Sequence, residues 1–383
     1  MKEKSLLLQI AKAGFPVVIF CLCLVLTEFF FRANKNTLNW FFQKNTEIKN
    51  LPVQPLTADI VAKIKARFPS SGMDQATFDR ILSLRPQLKM KNKGWVVPTI
   101  FERKDYKAAE FAEAAIVPGY TIYDVKSHLD ENHIRLTGNQ VIDPKKKNFL
   151  MLGCSFTFGV GVNDDETISS YISQDDGRFN YYNLGVPGGG LSEILDDIYY
   201  KDRIKNINKN GGIVVYHFWR DHFRRHFANF SNYISKDRNQ YEIVNSELVV
   251  SDRFKGTIGR LRFALLSLLD QSEFLRSTGW SYDSKSKENQ KKFLDFLALI
   301  KNYYKREYNL EFFFSIMLPV DVPSEEFLAG LNERQIKFSI YDEYRPPFST
   351  SQMVYPIDGH FIPAGNYMFS QQILAGLRKN GLL

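Results

Sequence analysis

The sequence predicts an α/β fold with a mainly parallel central sheet covered by helices on both faces, preceded by an N-terminal transmembrane helix. Three observations carry this. Short apolar runs alternate with helical stretches through the second half of the chain. A serine in a glycine-punctuated turn follows directly on the first of those runs. A long uncharged apolar run stands near the start.

In chain order, Lys2, Lys4 and Lys12 precede the apolar run Ala13 to Thr27, which continues past Glu28 into Phe29, Phe30 and Phe31. The run is long enough for one tilted membrane helix. It ends in bulky aromatics with no small-residue cleavage pattern, so residues 1–33 read as a retained single-pass anchor rather than a signal peptide. The catalytic domain is then expected on the periplasmic or extracellular side. Residues 34–117 read as a polar connector with a short helix at Thr77 to Leu84, and 118–383 as the main domain.

Within that domain, Tyr120 to Val141 suggests a small β meander. Buried strands are expected at Asn148 to Gly153, Tyr181 to Leu184, Ile213 to Phe218 and Phe312 to Leu318, with helices at Ile168 to Ser173, Leu191 to Ile204 and Asn289 to Tyr304. An insertion at about 222–287 carries a hairpin, Tyr241 to Val244 and Glu247 to Val250 across Asn245-Ser246, and a helix around Leu261 to Leu269.

Composition bounds the function. The chain has 383 residues and a formal charge of +8, but its basic residues are mixed with 42 acidic ones and no nucleic-acid motif is present. Cys21 and Cys23 lie in the apolar run and Cys154 in the main domain, which gives no disulfide framework.

The chemistry centres on Gly153-Cys154-Ser155-Phe156-Thr157-Phe158-Gly159. Ser155 stands at the carboxyl edge of a parallel strand, where such folds place reactive groups. A second block, Asn183-Leu184-Gly185-Val186-Pro187-Gly188-Gly189-Gly190, follows another strand, and Asp358-Gly359-His360 lies near the C-terminus. These three blocks, in this order over roughly residues 118 to 380, resemble the SGNH/GDSL hydrolases, with Cys154 in place of the usual Asp.

The resemblance implies a flavodoxin-like α/β/α domain with Ser155 as nucleophile, His360 as general base and Asp358 as its orienting partner. It also implies the Gly188 N–H as an oxyanion donor. The family's third block ends in an Asn-Asp pair; here Arg220 stands at the Asn position and Asp221 at the next. A guanidinium is longer than an amide and permanently charged, so it is not an equivalent donor, and Asn183 is a candidate replacement. The expected activity is ester hydrolysis on an acylated envelope carbohydrate or lipid. O-acyl transfer to a surface polysaccharide and a catalytically impaired scaffold are the alternatives.

No cofactor or metal is expected. His222 and His226 have the spacing of a helical ligand pair, but Arg224 and Arg225 beside them disfavour a cation. Arg220, His222, Arg224, Arg225 and His226 read better as a cluster facing a phosphate or uronate, or equally as a solvated helix face. At Asn163-Asp164-Asp165-Glu166, Asp165 is the expected helix cap.

Overall fold

The computed structural model describes residues 110–117, 120–138, 140–227, 239–251, 287–317, 324–340, 353–354 and 360–383, with the single positions 257 and 259. The expected anchor, the helices at 77–84 and 261–269, and Asp358 lie outside these residues. Among the described residues no helix is long and apolar enough to cross a membrane. The elements described here belong to one compact unit formed by Leu51–Phe227, Asn239–Ser251 and Ser284–Leu383.

The first two strands, β1 (Glu110–Val117) and β2 (Tyr120–His128), form an antiparallel pair. β1 falls in the stretch the sequence assigned to the connector. Five parallel strands then make the central sheet: β3 (Lys147–Gly153), β4 (Phe179–Gly185), β5 (Gly212–Phe218), β8 (Leu310–Ile316) and β9 (Lys337–Ile340), in the spatial order β4-β3-β5-β8-β9. The order reverses between β3 and β5, and the crevice outside the carboxyl ends of those two strands is where sheets of this kind bind ligands. β6 (Gln240–Val244) and β7 (Glu247–Ser251) form the hairpin expected in the insertion. Its turn residues Asn245 and Ser246 take φ of 52° and 68°, as a two-residue turn matched to strand twist requires.

Helices cover both faces of the sheet. Phe149, Met151, Ile213, Val215 and Phe313 meet α2 (Ile168–Asp175) and α7 (Pro363–Lys379) in one buried core. On the opposite face Phe218 and Phe314 pack on Phe293, from α5 (Lys287–Tyr308), which in turn meets Phe327, from α6 (Glu325–Glu333). The α5 face that does this repeats Phe293, Leu294, Phe296, Leu297, Ile300, Tyr303, Tyr304, an apolar stripe at helical period. The helix after β4, α3 (Leu191–Tyr200), ends before the expected Ile204 because Lys201 turns left-handed, φ 60°, and donates its N–H to Asp197 O. The cap of α2 also differs from expectation. Thr167, not Asp165, accepts the Ser170 N–H, while Glu166 reaches back to the Asn163 N–H to close a short 3-10 turn at Asp164–Glu166.

One feature of the core is polar. His217, Ser315 and Ser339 lie in register across β5, β8 and β9, all buried, and neither His217 ring nitrogen meets a hydrogen-bond partner among the described residues. Burial in this apolar setting holds the His217 imidazole down to about 3. Below the ordinary histidine range the unfolded chain takes up a proton that the folded chain refuses, so stability is lost as pH falls from about 6.5 toward about 3. Urea unfolding should show about 2 kcal/mol of this loss between pH 7.5 and pH 5. His217→Gln should remove it; an unchanged acid slope in the variant would refute the assignment.

Candidate active site

Ser155 leaves β3 and begins α1 (Ser155–Phe158), a single turn closed by Gly159 at φ 88°. The serine is nearly buried, at 7% exposure. The chain can turn so tightly here because β4 ends in Gly185, paired with Gly153 across the ladder. A Cβ on Gly185 would stand 2.2 Å from the Phe158 N, so only glycine admits the turn against the strand end. Gly188, in the loop that follows, has φ 69°, and a side chain there would meet nothing within 4 Å among the described residues.

The Ser155 turn is held from below by Arg135, which is 1% exposed. Its Nη1 donates to the carbonyls of Phe158 (2.9 Å) and Gly159 (2.5 Å), and its Nη2 to that of Val162 (2.6 Å). Its Nε meets Asp164 Oδ1 at 3.1 Å, and Asp164 Oδ2 lies 2.5 Å from His128 Nδ1. A tight turn exposes carbonyls that no strand or helix can satisfy, and one planar guanidinium satisfies three of them at once. No local pattern marks this role: a lone arginine in an alternating stretch reads as a solvated strand residue.

Asn183 works in the same framework. Its Nδ2 donates to Phe158 O at 3.2 Å and its Oδ1 accepts the Gly185 N–H at 3.1 Å. Both ends of this fully buried amide are therefore engaged in bracing the turn, which runs against the oxyanion-donor role expected for it. Arg220 is exposed at the first position of α4 (Arg220–Phe227).

His360 lies beside the nucleophile segment. Its ring is 5.2 Å from that of Phe156, the residue after Ser155, and Phe156 also contacts Phe361 (4.7 Å) and Trp219 (5.0 Å). The backbone that follows His360 is fixed at two points. Ile362 N donates to Met353 O at 3.0 Å, and the buried Asn366 in the first turns of α7 donates to Glu166 O at 3.1 Å. Ser155 and the loop of Gly188 thus follow the paired strand ends of β3 and β4, and His360 packs on Phe156 beside Ser155.

Cys154, the other nucleophilic side chain, is 1% exposed, and burial pushes its thiol up despite the opposing pull of Arg225. A buried thiol held in its neutral form is a poor nucleophile.

The expected anion-facing cluster is divided. His222 and His226 are buried inside α4's packing, His222 stacked on Tyr216 with Nδ1 3.1 Å from its hydroxyl, and His226 Nδ1 3.0 Å from Ser192 Oγ. Arg225 instead turns to the glycine loop, donating from Nη1 to Gly189 O. Among the described residues no group of His, Cys, Asp and Glu is arranged to hold a metal ion.

No family model matches the chain, and no curated protein matches it. Among solved structures, a Lactobacillus plantarum protein determined as a structural-genomics target is 10% identical, with 61% of this chain and 98% of that chain covered at a TM-score of 0.34. A second crystal structure is 12% identical, covering 62% of this chain and 99% of that one at a TM-score of 0.33. Likeness at this level carries no argument about fold or function.

Removing the Arg135 guanidinium takes donors from three carbonyls, of which Phe158 O keeps Asn183 and Gly159 O keeps the Val162 N–H, and leaves Asp164 with His128 as its remaining partner nearby. Arg135→Met should therefore cost about 3 kcal/mol or more in urea unfolding. A loss under about 1 kcal/mol, the range of a surface ion pair, would show that the clamp is dispensable.

Proposed function

We propose that the chain is a serine-dependent esterase of the SGNH/GDSL type that deacylates an acylated envelope carbohydrate or lipid. The observation that carries this reading is the packing of the His360 ring on Phe156, the residue after Ser155, where Ser155 follows β3 at the edge where the strand order reverses. The three sequence blocks assign roles to what converges there.

In this reading Ser155 Oγ attacks the ester carbonyl as its proton passes to His360. The resulting oxyanion is held by the Ser155 and Gly188 N–H groups. Collapse breaks the bond to the leaving alcohol, which takes the proton from His360. Water, deprotonated by the same histidine, then attacks the acyl-enzyme and releases the acid. Asp358 orients the imidazole and stabilises its cationic form. A turn braced by Arg135 and Asn183 suits this chemistry, because electrostatic stabilisation depends on donors that do not have to reorganise. Residues 1–33 would tether the domain to the membrane, with the site on the periplasmic or extracellular side.

A fluorophosphonate probe should label the purified protein in a single position. Ser155→Ala should abolish labelling, Cys154→Ala should retain it, and His360→Ala should slow it by roughly 10²- to 10⁴-fold. Absence of label on the folded wild-type chain would refute the esterase reading.

A further inference from the structure

Four arginines among the described residues are buried or half-buried: Arg135, Arg203, Arg225 and Arg334. Three of them face a carboxylate, Arg135 on Asp164 (3.1 Å), Arg203 on Asp197 (3.2 Å) and Arg334 on Asp295 (2.8 Å). Arg225 forms no ion pair with a described residue. Withdrawing a guanidinium from water without a counter-charge is unfavourable, so a half-buried cation left open in this way needs its own explanation.

Its position supplies one. Nη1 is anchored on the Gly189 carbonyl, in the loop of Gly188. The guanidinium carbon lies 5.7 Å from the centre of the Trp219 ring, within cation–π range. Trp219 in turn packs edge-on against Phe156, which touches His360. Arg225 is therefore linked on one side to the glycine loop and on the other, through the Trp219 ring, to Phe156, the residue beside Ser155. One donor edge is fixed and the plane is oriented, so the side chain has already lost the freedom that a ligand would otherwise have to remove.

We propose that Arg225, seated on Trp219, is an anion-binding subsite that receives a carboxylate or phosphate on the substrate, next to the ester that Ser155 attacks. This rests on the esterase reading for its purpose and, for its existence, on a guanidinium that meets no carboxylate among the described residues. It narrows the cluster expected from the sequence to one residue, since His222 and His226 are committed to internal partners. Planar oxyanions match the guanidinium fork, and an aromatic face beside it suits a sugar ring. The chain's formal charge of +8 would favour the approach of an anionic polymer.

Calorimetric titration of the full chain carrying Ser155→Ala separates binding from turnover. Methyl glucuronide tests a carboxylate source, glucose 6-phosphate a phosphate source, and methyl glucoside is the neutral reference. At least one anionic sugar should bind tenfold or more tightly than the neutral one. Arg225→Gln should abolish that advantage, and Arg225→Lys, which keeps the charge without the fork, should retain part of it, both in variants with the parent's urea midpoint. Equal binding of all three sugars, or an advantage that survives Arg225→Gln, would overturn the subsite. A chain that binds the anionic sugar but takes no fluorophosphonate would keep the subsite and lose the esterase.

Discussion

The guanidinium of Arg135 is the interaction on which the site depends. It arrives from the segment after β2, outside the central sheet, and enters beneath the turn that carries Ser155, where it is almost wholly shielded from water. A charge in that position is tolerable only if it is fully hydrogen-bonded and neutralised. Three carbonyls and Asp164 do both. The dependence is mutual: the turn needs a donor for its carbonyls and the cation needs acceptors. Asp164 extends the link to His128, so the end of β2 and the nucleophile segment are bound through one carboxylate.

From that anchored turn the rest of the edge can be built. Gly185 lets β4 approach closely enough for Asn183 to brace the Phe158 carbonyl that Arg135 already holds. Asn366 ties the first turns of α7 to Glu166 just downstream. Phe156 then fills the space between Trp219, His360 and Phe361. Parts that are far apart in sequence, from β2 to the C-terminal helix, are thereby joined by short contacts around one serine.

The sheet was legible because its strands are nearly continuous apolar runs, the mark of parallel strands buried on both faces. The hairpin at Asn245-Ser246 was legible because two turn-forming residues separate two alternating runs. Ser155 stood out because a strand, a serine and two glycines occurred together. β1 was missed because Glu-Phe-Ala-Glu-Ala-Ala is rich in good helix formers, and pairing with β2 overrides that preference. β9 is four residues long and half polar, too short for a periodicity signal. The bracing roles of Arg135 and Asn183 were not legible, and Arg225 was legible only as one member of a five-residue cluster. Whether a polar side chain is buried, and what it meets there, is decided by tertiary packing that no local pattern records. The α4 histidines, expected to face an anion beside the arginines, instead make two separate buried hydrogen bonds for the same reason.

The most direct test is a crystal structure of the chain phosphonylated by a small fluorophosphonate, with Arg135 intact. If the clamped turn is a hydrolase site, the phosphorus is bonded to Ser155 Oγ. Its free oxygen then accepts hydrogen bonds from the Ser155 and Gly188 N–H groups, with a His360 ring nitrogen within hydrogen-bond reach of the ester oxygen. An adduct on another residue, or one whose oxygen meets neither N–H while His360 points away, would contradict it.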